Sequence, residues 1–262
     1  MKAKDNKKAF GFVDVITRTE KTRKKGLTMV LDKGLGPNQA QDLMQAAPYI
    51  DIIKLGWGTP RLFPEDVIRR KIELYRNHNI KVGNGGTLLE IVYQQGKTEL
   101  FLDYCRQMGL DLIEVSNGVM PISTEEKANI IRSANAAGFS VISEVGKKDP
   151  AEDRRLSLQD RIIEARSDLE AGARYVIIEA RESGKSLGVY DDKGGLKEDM
   201  ARTLVEEIGI EKIIFEAPDK SQQANLILLF GSDVNLGNIR PEDVIPLETL
   251  RRGIRGDTFG KL

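Results

Sequence analysis

The stretch Ser143-Glu144-Val145-Gly146-Lys147-Lys148 sets one carboxylate and two ammonium groups behind an apolar, strand-like run, Phe139-Ser140-Val141-Ile142. A strand buried on both faces has no structural use for such a cluster. The same order recurs along the chain: a short apolar run, then charge, then Gly or Pro. Asp32, Glu114, Glu144, Glu179 and Glu216 are acids at such run ends. Lys33, Lys54, Lys147, Lys148 and Arg181 are the cations, and Asn84, Asn117, Asn235 and Asn238 add amides. Carboxylates brought close together repel one another unless a cation lies among them. An all-oxygen donor set suits Mg²⁺ or Mn²⁺, and Mg²⁺ takes few protein carboxylates while keeping water or substrate oxygens. With a single histidine, His78, and a single cysteine, Cys105, zinc is a poor fit. The cations call for an anionic substrate. Gly85-Gly86-Thr87 at a helix start, and the short helix after Asn238, each offer backbone N–H groups to a phosphate. Taken singly, a run-end Glu or Lys is as often a rim salt bridge as a working group; the set is what points to a site. Trp57 either walls that site or simply packs.

These groups need a scaffold that brings them together. Apolar runs at 27–31, 50–53, 80–82, 112–115, 139–142, 175–178, 212–215 and 234–236 read as strands. Stretches with helical periodicity separate them, such as Ala40, Leu43, Met44 and Ala47, or Ile68, Ile72 and Tyr75. Thr87 with Glu90, and Ser123 with Glu126, read as capping boxes. Strand–helix units of roughly 30 residues predict a (β/α)8 TIM barrel in a single domain, with its active site at the C-terminal ends of the strands. The charged run ends would then ring one mouth. His78 falls on the opposite rim as a solvated or capping residue. A doubly wound open sheet is the rival fold, but no G-x-G-x-x-G follows the first strand. Residues 1–25, basic and polar, read as a loose arm or short helix, and 26–262 as the catalytic barrel. The Gly-, Lys- and Asp-rich segment 184–195 reads as a mobile lid.

Composition narrows the class. Forty Lys and Arg balance forty Asp and Glu in 262 residues, so no global field draws the chain to nucleic acid or membrane. Charged residues make up 31% of the chain, which fits a well solvated surface. A lone cysteine on an apolar stripe reads as a buried thiol in a reducing cytoplasm. No signal peptide is expected, and no apolar run approaches the ~20 residues of a membrane helix.

At these residues the chain resembles the phosphosulfolactate synthases, which add sulfite to phosphoenolpyruvate. The resemblance rests on Val30-Leu31-Asp32-Lys33-Gly34, Lys54-Leu55-Gly56-Trp57-Gly58-Thr59, Gly85-Gly86-Thr87-Leu88 and Glu144-Val145-Gly146-Lys147-Lys148. Further on it rests on Ile178-Glu179-Ala180-Arg181-Glu182-Ser183-Gly184, Ile214-Phe215-Glu216-Ala217-Pro218, Val234-Asn235-Leu236-Gly237-Asn238-Ile239 and Leu247-Glu248-Thr249-Leu250-Arg251-Arg252-Gly253. No one stretch is specific alone, but together they span nearly the whole chain. The resemblance implies a TIM barrel, Mg²⁺ dependence, a homo-oligomer and a lysine acid at Lys148, in a lyase forming a carbon–sulfur bond. Sulfolactate production and coenzyme M biosynthesis share that step. On this reading Lys148 and Glu144 are catalytic, and Asp32, Glu114, Glu179 and Glu216 are metal candidates. Lys33, Lys54, Gly85, Gly86, Lys147, Arg181 and Asn238 are substrate-binding candidates. Two rivals stand beside it: a Schiff-base aldolase using Lys54 or Lys33, and a non-catalytic member like the plant heat-stress-associated proteins.

Overall fold

Side chains alternate across a strand, and here both directions are apolar until the last inward position. Outward residues such as Val30, Ile53, Val82, Val145, Val176, Ile178 and Phe215 pack beneath the helices. Inward residues Met29, Ile52, Leu112, Ile142, Ile177 and Ile214 pack against one another in the middle of the barrel. The next inward residues along five of the strands are Lys54, Glu114, Glu144, Glu179 and Glu216, all buried. A ring of charge thus caps a plug of aliphatic side chains.

The structure, a computed structural model, describes residues 8–181 and 183–262. Their strands are β1 (Thr28–Asp32), β2 (Ile52–Leu55), β3 (Lys81–Asn84), β4 (Leu112–Val115), β5 (Ser140–Val145), β6 (Tyr175–Ile178), β7 (Ile213–Glu216) and β8 (Leu236–Ile239). They pair in parallel, each with its neighbours in sequence, and β8 closes on β1. The protein is a (β/α)8 TIM barrel in a single domain, as expected. The helices are α1 (Pro37–Leu43), α2 (Glu65–Asn77), α3 (Gly86–Gln94), α4 (Thr98–Met108), α5 (Thr124–Ala136), α6 (Pro150–Asp153), α7 (Leu158–Glu170), α8 (Glu198–Ile208), α9 (Lys220–Phe230) and α10 (Val244–Arg251). No helix among the described residues is long and apolar enough to cross a membrane.

Several strands run further than the apolar runs suggest. Asp32, Lys54, Asn84, Glu144 and Glu216 are members of their strands rather than of the loops beyond. The ladder holds these backbones, so their side chains stand on rigid elements.

Four local expectations meet different outcomes. Ser123 and Glu126 do form a capping box on α5. Thr87 and Glu90 do not, because α3 starts at Gly86 and Glu90 is buried in its second turn. Segment 184–195 is no lid: Leu187, Val189 and Tyr190 are buried, and the Tyr190 hydroxyl donates to the Glu216 carbonyl at 2.7 Å. Residues 8–25 contain no helix; their first part is largely exposed, and their second part is tied to the barrel. Buried Arg18 pairs with Glu248 of α10, and buried Arg23 pairs with Asp51 at 3.0 Å. The first seven residues of the expected arm lie outside the described residues.

Candidate active site

The mouth at the C-terminal ends of the strands opens on a cavity of about 570 Å³. Lys54 forms part of its lining, deep among three acids. Its Nζ lies 2.9 Å from Glu114, 3.3 Å from Glu216 and 3.6 Å from Glu144. Burial alone would lower the Lys54 pKa, but Glu114, Glu216 and Glu144 outweigh it and raise it well above the usual lysine value. That is the opposite of a Schiff-base lysine, which must offer a neutral amine.

Lys148 comes from the loop after β5 and reaches the same acids from the other side. Its Nζ lies 3.2 Å from Glu144 and 3.5 Å from Glu179, and it donates to the Thr87 hydroxyl at 3.1 Å. Here too burial is outweighed, by Glu144 and Glu179, and the pKa is raised. The ammonium therefore stays protonated at neutral pH, as a general acid must.

The four glutamates differ in their holds. Glu114 accepts from the Gly86 N–H at 2.7 Å, and Glu179 accepts from the Arg181 N–H at 2.6 Å. Glu216 accepts from the N–H groups of Ala180 and Arg181 at 3.0 and 3.1 Å. Glu144 Oε1 and Glu179 Oε2 are buried and complete no hydrogen bond, and both face the Lys148 ammonium, at 3.2 and 3.5 Å. Burial pushes Glu114 up to about 7 against the pull of Lys54, and burial, with Glu144 and Glu216 beside it, pushes Glu179 well above the usual range. Glu144 goes the other way, to about 2, because Lys148 and Lys54 overcome its burial.

Charge counting shows what the cluster lacks. Four carboxylates face two ammonium groups, so two negative charges remain when all are ionised. Oxygens of Glu144, Glu179 and Glu216 lie within 4.8 Å of one another. The unbalanced charge and the all-oxygen donor set fit a hard divalent cation. Burial and the neighbouring carboxylates together raise Glu114 and Glu179, the direction that eases this excess.

The other sequence candidates divide. Gly85, Gly86, Arg181 and Asn238 line the cavity. The Gly86 N–H is not available to phosphate, since Glu114 already takes it. Glycine is required there for another reason: a Cβ on Gly86 would lie 2.3 Å from Ser116 Oγ. Asn238 donates to the Arg181 carbonyl at 3.0 Å and to Glu216 at 3.3 Å, stitching the loop after β6 to β8. Lys33 sits on the rim with Nζ 5.8 Å from the Trp57 ring centroid, and it lines a small recess with Leu31, Pro218, Asn238 and Arg240. Trp57, Arg181 and Asn238 all have positive φ, at 50°, 57° and 56°, so the strained non-glycine backbone includes three residues of the mouth lining.

Two candidates are corrected. Asp32 points outward, one residue past inward Leu31, and its oxygens are taken by Lys71 at 2.7 Å, Tyr75 at 2.9 Å and the N–H groups of Gly34 and Leu35. It shapes the loop after β1 and is no metal ligand. Lys147 turns from the cavity and donates to the Asn117 carbonyl at 2.6 Å. His78 caps the C-terminus of α2, its ring Nδ1 2.9 Å from the Leu74 carbonyl. Cys105 is buried, and burial pushes its thiol up to about 12. Sequence reasoning placed Thr87 only in a backbone phosphate cradle and a cap, missing its hydroxyl as a partner of Lys148, and it missed Glu90 as a loop anchor. Their i, i+3 spacing beside a strand end was the available signal, and it reads equally well as a cap.

Comparison with known proteins bears on the family and the fold. The family model described as (2R)-phospho-3-sulfolactate synthase (ComA) matches residues 16–257. The phosphosulfolactate synthase of Methanocaldococcus jannaschii is 51% identical over 239 residues, covering 91% of this chain and 95% of that one. That of Methanothermobacter thermautotrophicus is 49% identical over 246 residues, covering 94% and 95%. Among solved structures, a 3-hexulose-6-phosphate synthase superposes with a TM-score of 0.55 at 16% identity, over 86% of this chain and 97% of that one. This last likeness concerns the fold alone.

Proposed function

The chain belongs to the phosphosulfolactate synthase family, and from that premise we propose that its mouth adds sulfite to phosphoenolpyruvate to give (2R)-phospho-3-sulfolactate. The observation that carries the reading is the pair of lysines, Lys54 and Lys148, among four buried glutamates, a set two charges from neutral when all are ionised.

The residues divide the work. Arg181 and Lys33 stand at the rim, where the two anions enter, and Asn238 fixes the Arg181 loop. The sulfur lone pair of sulfite forms the bond to the CH₂ carbon of phosphoenolpyruvate. The π pair moves toward C2 and the carboxylate, giving an aci-type enolate. Lys148 then gives its Nζ proton to C2 and recovers one from water. Glu144 and Glu179 hold that ammonium in place, and Lys54 pairs with Glu114, Glu144 and Glu216 while sealing the floor. Glu144, Glu179 and Glu216 would hold Mg²⁺. When bound, it supplies positive charge for the substrate carboxylate where negative charge develops.

This reading makes the protein a lyase that forms a carbon–sulfur bond. We also infer a homo-oligomer in a reducing cytoplasm. The buried lone cysteine fits that compartment, and exposed Leu62, Leu100 and Tyr104 offer apolar surface for assembly. The test of function is incubation with phosphoenolpyruvate, sulfite and Mg²⁺, with the product read by mass. A sulfonated phospho-acid that needs all three components is expected; none, or one formed equally well in chelator, contradicts the reading.

A further inference from the structure

Glu90 is buried at 1% exposure and lies on the mouth-facing end of α3, yet it does not line the cavity. Its carboxylate accepts four hydrogen bonds from one short segment after β4. Ser116 Oγ donates at 2.5 Å, and the N–H groups of Gly118, Val119 and Met120 donate at 3.1, 2.8 and 2.6 Å. Three successive N–H groups turned to one side form a nest of the kind that binds anions. Here a side chain of the protein fills it. The nest is therefore closed to a substrate phosphate, and it holds the backbone of residues 118–120 in one shape.

That backbone is the bed of Lys148. The Lys148 N–H donates to the Gly118 carbonyl at 2.9 Å. A Cβ on Gly118 would lie 3.1 Å from both Cγ and Cε of Lys148, so the lysine stem runs across the bare glycine. Lys147 ties the same two loops a second time through the Asn117 carbonyl. One turn before Glu90 on α3, Thr87 accepts from the lysine ammonium itself, and the first residue of the helix, Gly86, holds Glu114. A single rigid helix thus reaches the lysine head directly and its stem through the loop.

We propose that Glu90 is a positioning residue for the proton transfer: by filling the 118–120 nest it aims Lys148 at one face of C2, and so sets both the rate and the handedness of the product. This rests on the assignment of Lys148 as the acid. Charge on the enolate carbon can be quenched from either face, and only a fixed donor enforces one.

The experiment uses full-length protein with Mg²⁺, phosphoenolpyruvate and sulfite, and reads kcat, KM and the enantiomeric purity of the phosphosulfolactate per folded chain. Glu90→Gln keeps the shape but turns an NH₂ toward N–H donors. Gly118→Ala presses on the lysine stem without touching Glu90. For both variants the expected result is kcat lower by about 10- to 100-fold, with KM for phosphoenolpyruvate within about threefold and a measurable fraction of the 2S product. Lys148→Ala separates the premise from the inference, because full turnover in that variant removes the acid assignment itself. If Lys148→Ala is inactive while Glu90→Gln and Gly118→Ala both keep wild-type kcat and pure 2R product, the positioning role is overturned. It is equally overturned if Glu90→Gln loses only folded protein, with kcat and purity per folded chain unchanged.

Discussion

The two rims of this barrel bury charge in opposite ways. At the N-terminal rim the cations are arginines, Arg18, Arg23 and Arg251, and they outnumber their acids Asp51 and Glu248. The excess is absorbed by carbonyls. Arg251 donates to Ser232 at 2.6 Å, Val234 at 2.7 Å and Leu27 at 3.1 Å, and Arg23 donates to Pro48 at 2.8 Å. At the C-terminal rim the cations are lysines, the acids are in excess, and two carboxylate oxygens complete no hydrogen bond. A planar guanidinium fans several donors into fixed acceptors and suits permanent closure, whereas a lysine is a compact charge that can give up a proton. The lower rim is locked by these bonds and structural, although the Nε atoms of Arg18 and Arg251 complete none. The upper rim is left with excess negative charge, and that excess is its chemistry.

The comparison breaks most visibly if the upper rim proves to be structural. Lys148→Ala should lose about 100- to 10,000-fold in turnover, the range of general-acid catalysis, with little loss of thermal stability. A steady-state assay beside a melting curve decides it, and a stable variant with full turnover would erase the distinction. Arg251→Ala is the mirror experiment. It removes three hydrogen bonds to carbonyls and a fully buried side chain and should cost about 3 kcal/mol or more, on the order of 10 °C in Tm, while activity per folded chain is unchanged. An active-site defect in that variant would couple the two rims.

Titration sharpens the contrast further. The Glu114 carboxyl loses its proton near 4.5 when unfolded and near 7 in the folded protein. Between those values the folded state binds more protons than the unfolded one, so stability falls as pH rises through that window. Glu179, also raised, adds in the same direction. Glu144, depressed to about 2, stabilises above 4.5 and loses its contribution only as pH falls toward 2. Lys54 and Lys148, raised, contribute fully below 10.5 and lose their contribution only in strong alkali. Metal-free protein should therefore melt a few degrees lower at about pH 7.5 than at about pH 5, and saturating Mg²⁺ should flatten the slope. A metal-free Tm that rises over this range contradicts the arrangement.

Much of this was legible in the chain. The repeating strand–charge–glycine order carried the barrel, and six of the candidate charges, Lys54, Glu114, Glu144, Lys148, Glu179 and Glu216, do meet in one cluster. What misled was strand length. Apolar runs stop where charge begins, but the ladder does not, and without the true end of β1 the parity of Asp32 could not be assigned. Lys147 and Lys148 are adjacent and alike in type, and only the loop after β4 decides which one enters the mouth. Glu90 looked like a cap because its partners lie 26 to 30 residues away, beyond any local pattern. Segment 184–195 reads as polar on average, yet Leu187, Val189 and Tyr190 bury its middle.

The most direct measurement is calorimetric titration of Mg²⁺ into metal-free protein, in buffers of different ionisation enthalpy near neutral pH, with Glu179→Gln alongside. Saturable binding of one ion per chain is predicted, with protons released from the glutamates that hold them, and with binding lost or greatly weakened in Glu179→Gln. No saturable binding, or binding undiminished in that variant, would contradict the claim that the upper rim is a carboxylate cluster waiting for a divalent cation.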